Sequence, residues 1–184
     1  IIGGGVAFIF AVQTCVWADP SFVYDVRISP KHGTVAQRYK SDSQKTVIHI
    51  ADAHSSLEAQ QNIARMIEEL LPQIKTQYAK ARQNEYLPFI GVEGAVGALP
   101  VRKYRQFSVQ PVRERTAYEY MLSGVFTGAE YRAISDEDEI MLWGLEDETL
   151  FKKNFTLFND VLREKHEITE AASLLRDILC EKKN

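Results

Sequence analysis

The sequence contains very little cysteine. Of its 184 residues only Cys15 and Cys180 are cysteines, and Cys15 lies in an apolar stretch at the start of the sequence. The rest of the chain therefore has no pair of cysteines from which an intramolecular disulfide framework could be built. A fold without such cross-links has to be held together by its hydrophobic core.

The sequence also lacks an excess of charge of either sign. It has 22 Lys and Arg residues against 25 Asp and Glu residues, a formal net charge of -3, and no repeat or low-complexity tract. This balance disfavours the basic footprint of a nucleic-acid-binding protein. With 45% hydrophobic residues, the composition indicates one globular domain of the α/β or α-rich class.

Several catalytic motifs are missing. The stretch "GAVGALP" has no Gly-Lys-Ser/Thr and is not a phosphate-binding loop, and no Gly-x-Ser-x-Gly elbow occurs. Asp52 and His54 form an Asp-x-His pair that also opens the calcineurin-like metallophosphoesterase site. The Gly-Asp and Gly-Asn-His segments that complete the two metals of that site do not occur, nor does the His-x-His of amidohydrolases. Nucleophilic serine or cysteine catalysis is therefore disfavoured.

The first 18 residues, "IIGGGVAFIFAVQTCVWA", form an apolar run. Its last and third-last residues, Ala18 and Val16, resemble a signal-peptidase site. We expect residues 1–18 to be a signal peptide that lacks its basic n-region, with Asp19 as the new start. Its glycines and two polar residues favour cleavage over a transmembrane anchor, which is the rival interpretation. Cys15 fits a lipoprotein signal poorly. Export without disulfides indicates a bacterial periplasm or cell envelope, with no stable membrane span after cleavage.

The hydrophobic pattern alternates between the periods of strands and helices. Between Leu57 and Tyr78 the apolar residues recur every three or four positions, which is typical of a helix, and Pro72 should kink or break it. A second long amphipathic helix begins near Glu148 and reaches "EKKN", which has no obvious cap and is compatible with a domain that is incomplete at its C-terminus. Four apolar runs are typical of strands: "SFVYDVRI", "TVIHI", "YLPFIGV" and "EIMLWGL".

Strands that alternate with helices predict an α/β fold with a mostly parallel sheet flanked by helices. We expect this fold to form a single domain over residues 19–184. In such sheets ligands bind beyond the carboxyl ends of the strands.

Acidic residues and a histidine follow three of the predicted strands at their carboxyl ends. Asp52 and His54 come after "TVIHI", Glu93 comes after "PFIGV", and Glu146 with Asp147 comes after "IMLWGL". If the strands are parallel neighbours, these groups meet at one edge of the sheet. Carboxylates and an imidazole there can bind a divalent cation or transfer protons. The sequence therefore predicts a site of His54, Glu93 and Asp52, with Glu146 as an accessory acid.

Some polar residues near these positions have structural interpretations. Ser55 and Glu58 fit a capping box at the start of the helix, which removes Glu58 from the candidates. Gln60 is expected on a solvated face, His49 and Trp143 in the core. Asp52 alone is as typical of a turn as of a site, and one of Glu146 and Asp147 should cap the following helix. Glu130 either reaches the edge of the sheet or begins a helix favourably at its positive end.

The stretches "IADAHSSLEAQQNIARMIEEL" and "PFIGVEGAVG" resemble a known superfamily. It groups TraB/PrgY proteins, Tiki proteases, erythromycin-esterase-like enzymes and ChaN-like haem-binding proteins. The similarity is greatest to exported bacterial members with the series Asp-Ala-His, Glu-Ala-Gln, Val-Glu-Gly, Thr-Gly-Ala-Glu-Tyr and Trp-Gly-x-Glu-Asp, and it covers roughly residues 46–154. By position, His54 matches the histidine of the family, Asp52 the acid before it, and Glu93 the glutamate of the second strand. Ala51 stands where the family has glycine, and the late histidine motif of Tiki-like proteins has no counterpart.

The resemblance implies an α/β sheet with a site at its edge, and it allows two main functions. The first is an exported hydrolase of a peptide or ester bond, with or without a divalent metal ion, in which Asp52, His54 and Glu93 are metal ligands or acid–base groups. The second is a haem- or other ligand-binding protein without catalysis, in which His54 or Tyr131 would be an axial ligand. A structural domain assembled through its last helix is a third. A small-molecule or peptide partner is expected under the first.

Overall fold

The computed structural model describes residues 8–14, 21–42, 46–52, 56–80 and 88–181. The chain divides into two compact units, residues 1–145 and residues 146–184. In the first unit the elements are β1 (Phe8–Thr14), α1 (Phe22–Asp25), β2 (Thr46–Asp52), α2 (Leu57–Lys80), β3 (Phe89–Val92), β4 (Val96–Ala98), α3 (Val101–Arg105), α4 (Gln110–Leu122), α5 (Gly128–Ser135) and β5 (Met141–Leu145). The second unit contains α6 (Glu148–Glu181).

The described strands form two sheets. In the first, order β3-β5-β4, the central strand β5 is parallel to β3 and antiparallel to β4. In the second, β1 pairs with β2 in antiparallel register, from Phe8 opposite Asp52 to Thr14 opposite Thr46. The trace of β1 also lies beside β3. The α/β class predicted from the sequence agrees with these elements, and the parallel relation is present between β3 and β5.

The core is built around one face of α2. Ile63, Ile67, Leu70 and Ile74 are all buried, and their spacing of three or four residues places them on one side of the helix. α5 packs against this helix and against α3 and α4. The stripe predicted from the hydrophobic period is therefore confirmed.

Pro72 was predicted to kink or break α2, and the helix is not broken there. The helix continues to Lys80, and Pro72 lies on its exposed face. Leu70 and Ile74, two residues before and two after it, are buried in the core, so tertiary packing holds the turn that proline disfavours. The hydroxyl of Thr76 donates a hydrogen bond to the carbonyl oxygen of Pro72 at 2.8 Å.

The predicted strand "SFVYDVRI" is wrong, because Phe22–Asp25 form the short helix α1. Phe22 and the residue that ends this helix, Val26, are both buried. A spacing of four residues puts two side chains on one face of a helix. Two further predictions of core residues are also wrong: His49 is exposed, and 42% of Trp143 is accessible to solvent.

α6 is 34 residues long and forms the predicted C-terminal helix. Asp147 caps it, since its Oδ1 accepts a hydrogen bond from the backbone N–H of Leu150 at 2.9 Å. Phe151 and Phe155, one turn apart, stack with their ring centroids 6.2 Å apart. Within the described residues, no helix combines the length and the apolar character that crossing a membrane requires.

Candidate functional site

The position of the candidate site depends on how the chain passes from β3 to β4. These strands lie on opposite sides of β5, so residues 93–95 have to cross over the end of β5. The crossing is a tight turn in which Gly94 has φ +71°, a conformation that side chains with a Cβ rarely adopt. Among the described residues, leaving aside its two chain neighbours, no atom lies within 4 Å of the place where a Cβ would sit on Gly94, so the backbone angle is the reason for glycine here.

Gly144 provides the room for this crossing. A Cβ on Gly144 would lie 2.1 Å from the carbonyl carbon of Ala95 and 2.3 Å from the nitrogen of Val96. Both distances are far below any van der Waals contact, so only glycine fits. The glycine of "VEGAV" therefore allows the tight turn after β3, and the glycine of "LWGLED" allows that turn to pack against the end of β5.

The crossing determines where Glu93 lies. Val92 is opposite Gly144 in the parallel register, so Glu93 leaves β3 at the level at which β5 reaches its last residue, Leu145. Glu93 is partly buried there. It stands at the edge of the sheet where both parallel strands end, which is the edge that binds ligands in α/β folds. The position predicted for Glu93 thus matches the backbone of this sheet.

Asp52 and His54 belong to the junction between β2 and α2. Asp52 is the last residue of β2 and pairs by its backbone with Phe8 of β1. His54 lies outside the described residues, as does Ser55 of the predicted capping box. In the described residues, Ser56 caps the start of α2. Its hydroxyl accepts a hydrogen bond from the backbone N–H of Ala59 at 3.3 Å. The meeting of His54 and Asp52 with Glu93 therefore stays a prediction.

Of the two acids after β5, Asp147 is the residue that caps α6, as described above. Glu146 is the other acid, and it is partly buried in the unit that begins with it. The prediction that one of this pair caps the following helix is confirmed. The accessory role of Glu146 stays a prediction.

Glu130 serves the N-terminus of α5. Its carboxylate accepts a hydrogen bond from the backbone N–H of Thr127 at 2.8 Å, and the Thr127 hydroxyl accepts one from the backbone N–H of Glu130 at 3.1 Å. This reciprocal pair is a capping box. Of the two interpretations of Glu130 that the sequence allowed, the favourable start of a helix is the one that the structure describes.

Tyr131 lies among side chains of α4 and α5. Its ring packs edge-on against that of Tyr118, with the centroids 5.7 Å apart, and its hydroxyl lies 3.5 Å from Oε1 of Glu114. Partial burial, followed by the charge of Glu114, raises the pKa of Tyr131 above its usual value. A raised pKa disfavours the phenolate form in which tyrosine binds iron, and the axial-ligand role of Tyr131 stays a prediction.

Gln60 was predicted to be solvated, and this is wrong. It is only 8% exposed, and its Oε1 accepts a hydrogen bond from the backbone N–H of Gly128 at 2.8 Å. A Cβ on Gly128 would lie 2.1 Å from the carbonyl oxygen of Gln60, so α2 and the start of α5 are in backbone contact. The stretches "EAQQ" and "TGAEY" contain the two residues of this contact, but only the fold shows that these stretches touch.

Metal binding stays a prediction for the candidate residues. Among the side chains that the structure describes, no three His, Cys, Asp or Glu residues come together closely enough to hold an ion. Neither the imidazole of His54 nor the carboxylate of Asp52 is among those side chains.

A separate cavity of about 660 Å³ lies between α3, α4 and the segment that follows α4. Its wall is mainly apolar and aromatic, and it contains none of the predicted site residues. No sequence pattern indicates this cavity, because its lining comes from several short segments. The lining residues are Lys103, Tyr104, Gln106, Phe107, Val112, Arg113, Thr116, Ala117, Tyr120, Val125, Phe126 and Ile134.

Comparison of the chain with protein-family models, with curated proteins and with solved structures finds no match.

Proposed function

We propose that this chain is an exported hydrolase that cleaves a peptide or ester bond with His54, Asp52 and Glu93. The observation that supports the proposal is the crossing of residues 93–95 over β5, which holds Glu93 at the carboxyl edge of two parallel strands. A glutamate fixed by two glycines at this edge is well placed for a role in a site, because ligands of α/β folds bind there.

The proposal requires β2 to bring Asp52 and His54 to the same edge. β1 lies within the predicted signal peptide, residues 1–18, and it pairs with β2 and lies beside β3. We propose that removal of this leader frees both strands, and that β2 then pairs with β3 in parallel. The result is the mostly parallel sheet expected from the sequence, with α2 as the crossover helix between its first two strands.

Parallel neighbours lie about 4.8 Å apart, so Asp52 and Glu93 would then stand at adjacent strand ends, with His54 two residues further on. His54 acts as the general base or as a metal ligand, and Asp52 and Glu93 orient it or bind the metal. Glu146 is the accessory acid. One imidazole and two carboxylates are a donor set that suits a divalent transition metal, which would polarise the scissile carbonyl.

The decisive experiment measures hydrolysis by the full chain and by the form that begins at Asp19. The substrates are p-nitrophenyl acetate and fluorescein-labelled casein, each assayed after EDTA treatment and after addition of Zn²⁺ or Mn²⁺. We expect the shorter form to be active, and His54→Ala and Glu93→Gln each to lower turnover by about 10²-fold or more. Glu139→Gln, an exposed acid that pairs with Arg102, is the matched control. Full turnover in both site variants, with circular dichroism unchanged, excludes the proposal.

In the haem-binding alternative the axial ligand is His54 or Tyr131. Titration of the form beginning at Asp19 with haemin distinguishes it from the hydrolase. A Soret shift that disappears in His54→Ala, together with no turnover, supports the alternative. No shift at micromolar haemin eliminates it.

Export itself is measured separately. We propose a periplasmic or cell-envelope location with cleavage after Ala18, which predicts a mature N-terminus at Asp19. Cell fractionation and the intact mass of the protein recovered from the envelope test this. Recovery from the cytosol with residues 1–18 still attached contradicts it.

A further inference from the structure

The cavity between α3 and α4 combines aromatic walls with positive charge. Tyr104, Phe107, Tyr120 and Phe126 contribute four rings, and those of Tyr104 and Tyr120 each contact the ring of Phe126, at centroid distances of 5.4 Å and 5.2 Å. Pockets of a few hundred Å³ with mainly apolar and aromatic walls and a few fixed polar groups are typical of small-molecule sites.

The apolar wall is unusually open to solvent. Phe107, Tyr104, Tyr120, Val112 and Val125 are each about half exposed or more, although they lie close together around the cavity. Exposed apolar side chains around one cavity offer a surface on which the apolar part of a ligand can pack. The volume and the lining therefore call for a ligand with a substantial apolar part.

Arg113 gives the cavity its charge and a fixed direction. Its Nε donates to the carbonyl oxygen of Ile134 at 3.0 Å, and its Nη1 donates to the carbonyl oxygens of Phe107 at 3.0 Å and Arg105 at 3.5 Å. These bonds hold the partly buried guanidinium in one place. Within the described part of the chain, no residue accepts a hydrogen bond from Nη2 and no carboxylate pairs with this arginine.

The other charged residue of the wall is also a cation. Lys103 lines the cavity, and no Asp or Glu is among the lining residues. The described lining thus combines two positive charges with an apolar wall. This combination is complementary to a ligand that carries a negative group on an apolar body. A neutral apolar ligand would leave the guanidinium N–H groups without an anionic partner, and inorganic phosphate would leave the aromatic wall bare.

We propose that this cavity binds a long-chain carboxylate, that is, a fatty acid. The alkyl chain lies on the four aromatic rings, and the carboxylate accepts hydrogen bonds from Nη2 of Arg113, with Lys103 as the second cation. The backbone carbonyls use Nε and Nη1 but not Nη2, and hydrogen bonds from a guanidinium to a carboxylate are charge-assisted and therefore strong. The proposal is independent of the hydrolase site, since the two share no residue.

Calorimetric titration of the full chain with sodium dodecanoate, below its micelle concentration, tests the proposal. Decanoate is the shorter homologue, and dodecyltrimethylammonium carries the same chain with the opposite charge. We expect saturable binding of dodecanoate at one site, at least tenfold tighter than the cationic amphiphile. Each methylene should change affinity by about fourfold, the effect of burying one CH₂.

Two variants of α4 locate the site. Val112→Trp, at an exposed position of the lining, should fill the cavity and abolish dodecanoate binding. Leu122→Trp, at an exposed position of the same helix outside the lining, is the matched control and should bind like the parent. Arg113→Gln should lower the affinity at least tenfold, and if it does not fold, Val112→Trp and the charge-reversed amphiphile decide.

Three outcomes overturn the proposal. The first is absence of binding to the parent chain. The second is equal affinity for the anionic and the cationic amphiphile, which indicates an apolar surface without selectivity for charge. The third is a dimer that Val112→Trp dissociates in sedimentation, without fatty-acid binding, which shows that the cavity is covered by a second copy of the chain.

Discussion

The side chain of Gln60 and the backbone of Gly128 are joined by a buried hydrogen bond of 2.8 Å across 68 residues of sequence. This bond ties the second turn of the long helix α2 to the capped start of α5. It lies one turn after the junction that carries His54, so it supports the part of the chain on which the proposed site depends.

Gln60→Leu should destabilise the fold by about 1–3 kcal/mol, because it leaves the buried N–H of Gly128 without an acceptor. Asn62→Ala, on the same helix, should change the stability by less than about 0.5 kcal/mol. Urea denaturation followed by circular dichroism measures both. Equal stability of Gln60→Leu and the parent chain would show that this bond does not hold the two helices together.

Gly144→Ala should be much more harmful than Gly94→Ala. At Gly144 a Cβ would overlap the backbone of Ala95, whereas at Gly94 the cost is only the left-handed backbone angle, about 1–2 kcal/mol. Gly94→Asn should recover part of that cost, since asparagine adopts this angle more readily. Thermal unfolding of the three variants ranks them. If Gly144→Ala is the mildest of the three, the turn does not rest on β5 as described.

The capping box of α5 predicts a coupling between Thr127 and Glu130. Thr127→Ala should cost about 1 kcal/mol, within the range of N-cap replacements. Glu130→Ala and the double variant complete a double-mutant cycle, in which the two effects should add to more than that of the double change. Strict additivity would argue against reciprocal capping. An effect of Glu130→Ala on hydrolysis without any effect on stability would return Glu130 to the candidate site.

Lowering the pH should weaken the contact between α2 and the segment after α1, because this contact depends on the carboxylate of Glu69. Its carboxylate accepts a hydrogen bond from the backbone N–H of Ser29 at 2.7 Å and lies 2.8 Å from Nδ1 of His32. The Ser29 N–H first, and His32 to a lesser degree, lower the pKa of Glu69 below its usual 4.5. A carboxyl with a lowered folded-state pKa stabilises the fold above its unfolded pKa, and this contribution is lost as the pH falls through the folded value.

Glu69→Gln should therefore be less stable than the parent at neutral pH, and the difference should shrink on acidification from about pH 4.5 downwards. Denaturation midpoints measured from pH 7 to pH 2.5 test this, with the exposed Glu137→Gln as the control. A difference between Glu69→Gln and the parent that does not depend on pH would contradict the role given to this carboxylate.

Local pattern in the sequence predicted those parts of the fold that depend on neighbouring residues. The stripe from Ile63 to Ile74 defines α2, because its period is set by the helix itself. The apolar runs around Ile90 and Leu142 define β3 and β5, and Glu93 and Glu146 follow these strands in chain order. The break expected at Pro72 failed because packing on both sides outweighs the local preference of proline.

The features that sequence pattern missed are made by residues far apart in the chain. The sequence predicts that Gln60 is solvated, and only the fold shows its hydrogen bond with the backbone of Gly128. Gly144 lies within the predicted strand "EIMLWGL", and only the fold shows that the turn at Ala95 packs against it. Arg113 looked like one more charge on a helix, yet the carbonyls that orient it come from three segments. Such contacts have no fixed spacing, so no periodic pattern reveals them.

The central position of β5 in its sheet has a consequence for the order in which this protein folds. β3 and β4 are neighbours in sequence but are both hydrogen-bonded to β5, which follows them by more than 40 residues and three helices. During synthesis the β3–β4 segment must therefore stay open as a fork until β5 emerges and inserts between its arms. Non-local pairing of this kind slows folding, and this sheet can be completed only after α3, α4 and α5 have been synthesised.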